Sequence, residues 1–144
     1  MSENIVALAA DHAGYELKAM LLAALAERGV EALDLGTHGG ASVDYPDMAA
    51  ALATALGDSR ADRGVLVCGT GIGISIAANR YRHVRAALCH DVTTARLARQ
   101  HNDANVLVLG ARTIGTEVAV DCLAVFLATA FEGGRHQRRV DKLG

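Results

Sequence analysis

The stretch Val65-Leu66-Val67-Cys68-Gly69-Thr70-Gly71-Ile72-Gly73-Ile74-Ser75 combines a thiol with three alternating glycines. A short apolar run of this kind reads as a buried strand, and Ile74 onward as the first turns of a helix. Amide N–H groups at the start of a helix have no partner inside it and bind anions. A thiol beside such donors is a potential base or nucleophile, and the amides a potential oxyanion hole. Two other readings compete. A cysteine at a strand end is often only a small buried hydrophobe. A glycine turn after a strand also serves nucleotides, although the spacing here is G-x-G-x-G and not G-x-G-x-x-G. Asp91 then stands about 20 residues on, where dinucleotide folds place a ribose-binding acid.

The elements that must position these groups alternate regularly. Strands are expected at Ile5 to Ala10, Val30 to Leu35, Val65 to Cys68, Val84 to Cys89 and Val106 to Leu109. Each is followed by a helical pattern. Leu17, Met20, Leu21, Ala24 and Leu25 mark the first helix. Met48, Ala51, Leu52, Ala55 and Leu56 mark the second, which opens at Pro46. The third helix is expected to run to about Tyr81 and the fourth from His90 to Asp103. Val118, Cys122, Val125, Phe126 and Thr129 give the fifth its apolar face. Near-continuous apolar strands alternating with helices predict a parallel sheet covered on both faces. The expected fold class is α/β: a Rossmann-like three-layer αβα sandwich with a five-stranded parallel sheet in the order 2-1-3-4-5. Residues 1–144 are expected to form one domain. In that topology Asp11, His12, Asp44, Tyr45, the Cys68–Gly73 turn, His90, Asp91 and Arg112 gather at the carboxyl edge of the sheet.

Bulk composition narrows the class. A hydrophobic fraction of 51% suffices for a core, while 3% aromatic residues leaves Ala, Val, Leu and Ile to pack it. The net charge of −2 and the lack of like-charge blocks argue against nucleic acid or an anionic membrane as partner. No apolar run reaches the roughly 18 residues of a membrane span. Met1-Ser2-Glu3-Asn4 carries no basic leader, so no signal peptide is expected. Cys68, Cys89 and Cys122 are odd in number and widely spaced, which suggests neither a disulfide framework nor a zinc knuckle. A cytoplasmic location follows from that usage. No His, Asp or Glu cluster has the sequence spacing of a metal site, so none is expected.

Five motifs in order resemble the ribose-5-phosphate isomerase B family of sugar-phosphate isomerases, whose wider membership includes allose- and galactose-6-phosphate isomerases. They are Asp11-His12-Ala13-Gly14, Asp44-Tyr45-Pro46, Cys68 to Asn79, Arg99 to Asn105 and Glu132 to Val140. The resemblance implies aldose–ketose isomerisation through a cis-enediolate without metal or cofactor. It implies Cys68 as the base, His101 as ring opener, Thr70 assisting hydroxyl proton transfer and Asp11 nearby on the sugar. Gly69, Thr70, Gly71, Ile72 and Gly73 would hold the enediolate oxygens. Tyr45 and Asn102 would contact the sugar, and His12, Arg112, Arg135 and Arg139 its phosphate. It further implies a homodimer or tetramer whose sites combine residues of two subunits. Relatives that lack a cysteine at this position use a glutamate in the following helix. Ile74 to Arg80 holds no carboxylate, which favours the cysteine type. A pentose phosphate is the expected substrate, with a hexose 6-phosphate as the alternative and a non-catalytic nucleotide-binding module as a further one. Composition alone would read Arg135 and Arg139 as a solvated basic tail, and His101 as a cation stabilised at a helix C-terminus.

Overall fold

The computed structural model describes residues 4–144; the reading of the leader rests largely on Met1, Ser2 and Glu3, which lie outside the described residues. The elements follow the expected alternation: β1 (Ile5–Ala10), α1 (Tyr15–Glu27), β2 (Glu31–Asp34), α2 (Tyr45–Gly57), β3 (Arg63–Cys68), α3 (Ile72–Ala78), β4 (Ala86–Leu88), α4 (Val92–Asn102), β5 (Val106–Gly110), α5 (Thr116–Ala128) and α6 (Arg135–Asp141). All strand pairs are parallel. Successive strand residues face opposite layers. Val6, Leu8, Ala10, Val65, Val67, Leu107 and Leu109 pack with α1, α4 and α5. Ala7, Ala9, Leu66, Cys68, Val106 and Val108 pack with α2 and α3. Both faces are buried, which is why the strands read as unbroken apolar runs. No helix among the described residues is long and apolar enough to cross a membrane.

The strand order corrects the expectation in its last two places: it is β2-β1-β3-β5-β4, not 2-1-3-4-5. β5 is Val-Leu-Val-Leu-Gly and buried along its whole length, so it suits a central position. β4 has three half-buried residues and pairs only with β5, which suits an edge. The consequence for chemistry is direct. Cys68 pairs in register with Gly110, so the turn after β5 emerges beside the glycine turn after β3.

Local details depart from the periodicity for identifiable reasons. α3 stops at Ala78 and not near Tyr81. The Asn79 side chain accepts from the Ala86 N–H (2.8 Å) and donates to the Ala86 carbonyl (2.9 Å), turning the chain into β4. Met20 and Val118, expected inside, are exposed at 46% and 38%. Lys18, which the apolar pattern passes over, is buried at 1% exposure. Its ammonium pairs with the Asp34 carboxylate at 2.5 Å. Thr129 lies just past α5 and donates its hydroxyl back to the Val125 carbonyl. Asp91 caps α4: its carboxylate accepts from the Thr94 N–H at 2.7 Å. That capping box accounts for Asp91 as a helix start, in place of a ribose-binding acid.

Candidate active site

β3 delivers Cys68 to the carboxyl edge of the sheet with 5% exposure. The chain must then reverse into α3 within three residues, which requires a left-handed conformation. Gly71 supplies it with φ +78°. The turn brings the Gly71 N–H to 3.2 Å from Cys68 Sγ, where it donates to the sulfur. The Ile72 N–H donates to Thr70 Oγ1 at 3.1 Å, which leaves that hydroxyl's own proton to be donated outward. The amides of Gly73 and Ile74, in the first turn of α3, have no partner within the helix.

Neighbouring elements close around this turn. A Cβ on Gly69 would stand 3.4 Å from Arg112 Nη1, so the guanidinium lies over the turn. The Ala111 and Arg112 N–H groups donate to the Cys68 and Gly69 carbonyls at 2.9 and 2.8 Å. A Cβ on Gly73 would stand 2.6 Å from the Tyr45 ring, so this glycine admits the phenol against the start of α3. After β1, Asp11 is buried at 7% exposure. Its carboxylate accepts from the Ala13 and Gly14 N–H groups at 3.0 and 3.1 Å. The Val43 N–H donates to His12 Nδ1 at 3.2 Å. Nδ1 thus acts as an acceptor, and Nε2 carries the ring proton. The Val43–His12 bond has no signal in residue type, because its donor is backbone.

Asp11, His12, Val43, Asp44 and Tyr45 border an open cleft of about 450 Å³. A larger one, about 570 Å³, lies at the opposite end of the sheet between Asn4, Gly29, Asp62, Arg63 and Leu127. It holds none of the motif residues, and chemistry, not size, selects the smaller. Cys89 and Cys122 are buried in the layer opposite Cys68. Burial, with Asp91 nearby, pushes both thiols up to about 11. They pack inside that layer. His90, beside the edge strand β4, joins no cluster of the site.

The structure does not bring every motif to this edge. α4 runs from the carboxyl end of β4 back to the start of β5. Its 11 residues span on the order of 16 Å. His101 and Asn102, at its C-terminus, therefore stand at the far end of the sheet from Cys68. Asn102 borders a separate cleft with Tyr81, Arg85 and Leu143. The tail folds onto α4: the Glu132 N–H donates to the Gln100 carbonyl at 3.1 Å. His136 stacks on His101 with ring centroids 4.3 Å apart and planes 16° from parallel. Burial, the His101 ring and Arg135 together push His136 below the ordinary histidine range. Glu132, His136 and His101 offer ligand atoms all within 4.8 Å of one another. Sequence spacing conceals this cluster, because a fold-back across some thirty residues assembles it. Arg135 and Arg139 are exposed on α6.

Comparison with known proteins gives a consistent result. Residues 6–143 match the family model described as Ribose/Galactose Isomerase. The chain is 46% identical to ribose-5-phosphate isomerase B of Escherichia coli over 96% of its own length and 93% of that protein's. It superposes on a ribose-5-phosphate isomerase B of Clostridium thermocellum with TM-score 0.96 at 47% identity, covering 97% of this chain and 95% of that one. For the ribose 5-phosphate isomerase of Thermotoga maritima the TM-score is 0.96 at 50% identity, covering 98% and 97%. With a family model that spans residues 6–143 and near-full-length relatives in agreement, the chain belongs to the ribose/galactose isomerase family.

Proposed function

We propose that the protein interconverts ribose 5-phosphate and ribulose 5-phosphate, with Cys68 as the base. The observation that carries this reading is the Cys68 sulfur, seated 3.2 Å from the Gly71 amide at a helix start under the Arg112 guanidinium. The sulfur takes the proton from carbon 2 of the open-chain aldose and returns it to carbon 1. Negative charge moves onto the oxygens, where the amides of Gly69 to Gly73 receive it. Thr70 passes the hydroxyl proton between those oxygens. Asp11, Tyr45 and His12 orient the sugar, His12 through a neutral Nε2–H donor. Arg112 meets the phosphate with bidentate geometry. The reaction shifts protons and an electron pair within one molecule, so it consumes no redox cofactor.

In this reading residues 1–144 act as one domain, and the site is completed by a second copy. His101 as ring opener, Asn102 on a hydroxyl, and Arg135 and Arg139 on the phosphate stand at the far end of their own sheet. A neighbouring subunit can supply all four together, because the tail packs against the end of α4 that carries His101 and Asn102. Ile72 and Ile76, both 54% exposed, and Tyr45, 40% exposed, give the glycine turn an apolar rim for that copy. This supports a homodimer, or a tetramer built from it. The three free thiols suit a reducing cytoplasm.

The test is a panel of pentose and hexose phosphates assayed for aldose–ketose conversion. Ribose 5-phosphate is expected to give the highest kcat/KM. A hexose 6-phosphate preferred by more than about tenfold reverses the substrate assignment and keeps the chemistry. Binding of adenine nucleotides with no turnover of any sugar phosphate overturns the reading.

A further inference from the structure

We propose that His101, Glu132 and His136 form a binding site for a divalent transition-metal ion of the zinc class, whose occupancy withholds His101 from the sugar. Metal binding stands on geometry alone; its effect on turnover rests on the isomerase reading above. Two imidazoles and one carboxylate with open positions suit a borderline ion such as zinc or cobalt, and not magnesium or calcium, which favour all-oxygen shells.

The three side chains are held from both sides. α4 ends at His101-Asn102. The Glu132 N–H on the Gln100 carbonyl fixes the approach of the tail. The His136 N–H donates to the Gly133 carbonyl at 3.0 Å and opens α6 beside it. His136 Nε2 and the Glu132 carboxylate are 3.8 Å apart, and all three ligand atoms lie within 4.8 Å. Metal–ligand bonds of about 2.0–2.2 Å place such atoms roughly 3.3 Å from one another. The cluster must therefore contract by up to about 1.5 Å, and one imidazole must turn out of the His101–His136 stack, whose planes stand 16° from parallel, so that both in-plane lone pairs aim at the ion. Glu132 is exposed, so its side chain has room to swing inward. Its charge also offsets Arg135 and Arg139 for an incoming dication. An ion there occupies the His101 lone pair that ring opening needs.

The binding experiment uses the Cys68→Ala protein, which removes the thiol at the glycine turn while Cys89 and Cys122 stay packed in the opposite layer. Cobalt(II) is titrated and read by visible absorption, with zinc(II) as competitor. One cobalt per chain is expected, without a thiolate charge-transfer band. Glu132→Gln and His136→Gln should each weaken binding at least tenfold, with circular dichroism verifying the fold. Absence of binding, a thiolate band, or affinity indifferent to both substitutions overturns the site.

The activity experiment uses wild-type enzyme and zinc. Ribose 5-phosphate is cyclic. Ribulose 5-phosphate has its fifth oxygen esterified, so it cannot close a furanose and stays open. One equivalent of zinc should lower turnover of the aldose at least tenfold and of the ketose much less. In Glu132→Gln the same zinc should leave turnover at that protein's own metal-free rate. If His101→Gln impairs aldose turnover but bound zinc does not, withholding of His101 is refuted. If His101→Gln is fully active, the ring-opening role falls while the metal site stands on the cobalt result.

Discussion

Replacing Gly71 by alanine tests the link between backbone conformation and chemistry most directly. Gly71 has φ +78°, and an added Cβ would stand 2.5 Å from Leu88 Cδ1, 3.1 Å from the Leu109 carbonyl carbon and 3.2 Å from the Gly110 nitrogen. The left-handed conformation costs about 1–2 kcal/mol for an L-residue. Crowding in a packed interior adds about 1–3 kcal/mol. The leucine methyl can rotate away, but the β5 backbone is held in the sheet and cannot. A total loss of roughly 2–5 kcal/mol corresponds to a fall in Tm of about 6–15 °C for a chain of this size. The same substitution moves the amide that contacts Cys68 Sγ. Misplacement by about 1 Å costs on the order of 10²-fold in rate, so kcat should fall by at least that factor at temperatures where the variant remains folded. Gly40→Ala is the control, because its Cβ would meet nothing within 4 Å; a change within about 0.5 kcal/mol is expected. Differential scanning calorimetry and steady-state turnover measure both effects. A Gly71→Ala protein that melts with wild type and turns over normally refutes the reasoning.

Cys68→Ala should fold normally and lose about 10²–10⁴-fold or more in turnover, and solvent deuterium should enter carbon 1 of the ribulose 5-phosphate product only where the thiol is present. Arg112→Ala, Arg135→Ala and Arg139→Ala should each raise KM for the phosphorylated sugar without loss of solubility. Sedimentation should show a dimer or larger species, and a fully active monomer would exclude a site shared between copies. Asp34 offers a pH test. Burial opposes its charge, but the Lys18 hydrogen bond, the Gly36 N–H and the Lys18 and His38 charges outweigh it, so its carboxyl titrates below the usual value of 3.8. A depressed carboxyl contributes stability above its unfolded value that is lost as pH falls through the folded one. The gap in urea midpoint between wild type and Asp34→Asn should hold from neutral pH to about pH 5 and close in more acid solution; parallel curves throughout would count against the ion pair.

Much of the fold was legible because burial on both faces leaves a plain signature. The runs Ile5 to Ala10 and Val106 to Leu109 read as strands since no polar residue fits where helices cover both sides. Gly71 and Pro46 marked helix starts through backbone sterics. Met20, Val118 and Lys18 were illegible by the same rule. Apolar spacing identifies a face, but burial of one residue depends on what stands opposite it. For Lys18 that is Asp34, sixteen residues away.

The sequence alone determined the alternation of strands and helices, the glycine turn that seats an amide beside Cys68, and the motifs that mark the family. These are local properties, set by φ preferences and by hydrophobic period within a few residues. Tertiary structure decided the rest. The burial of β5 places it in the sheet between β3 and β4, and this brings Arg112 over Gly69. The direction of α4 carries His101 and Asn102 to the far end from Cys68. The fold-back of the tail sets Glu132 and His136 against His101. Each outcome turns on which surfaces bury most against one another, a sum over contacts distant in the chain that no local pattern of residues encodes.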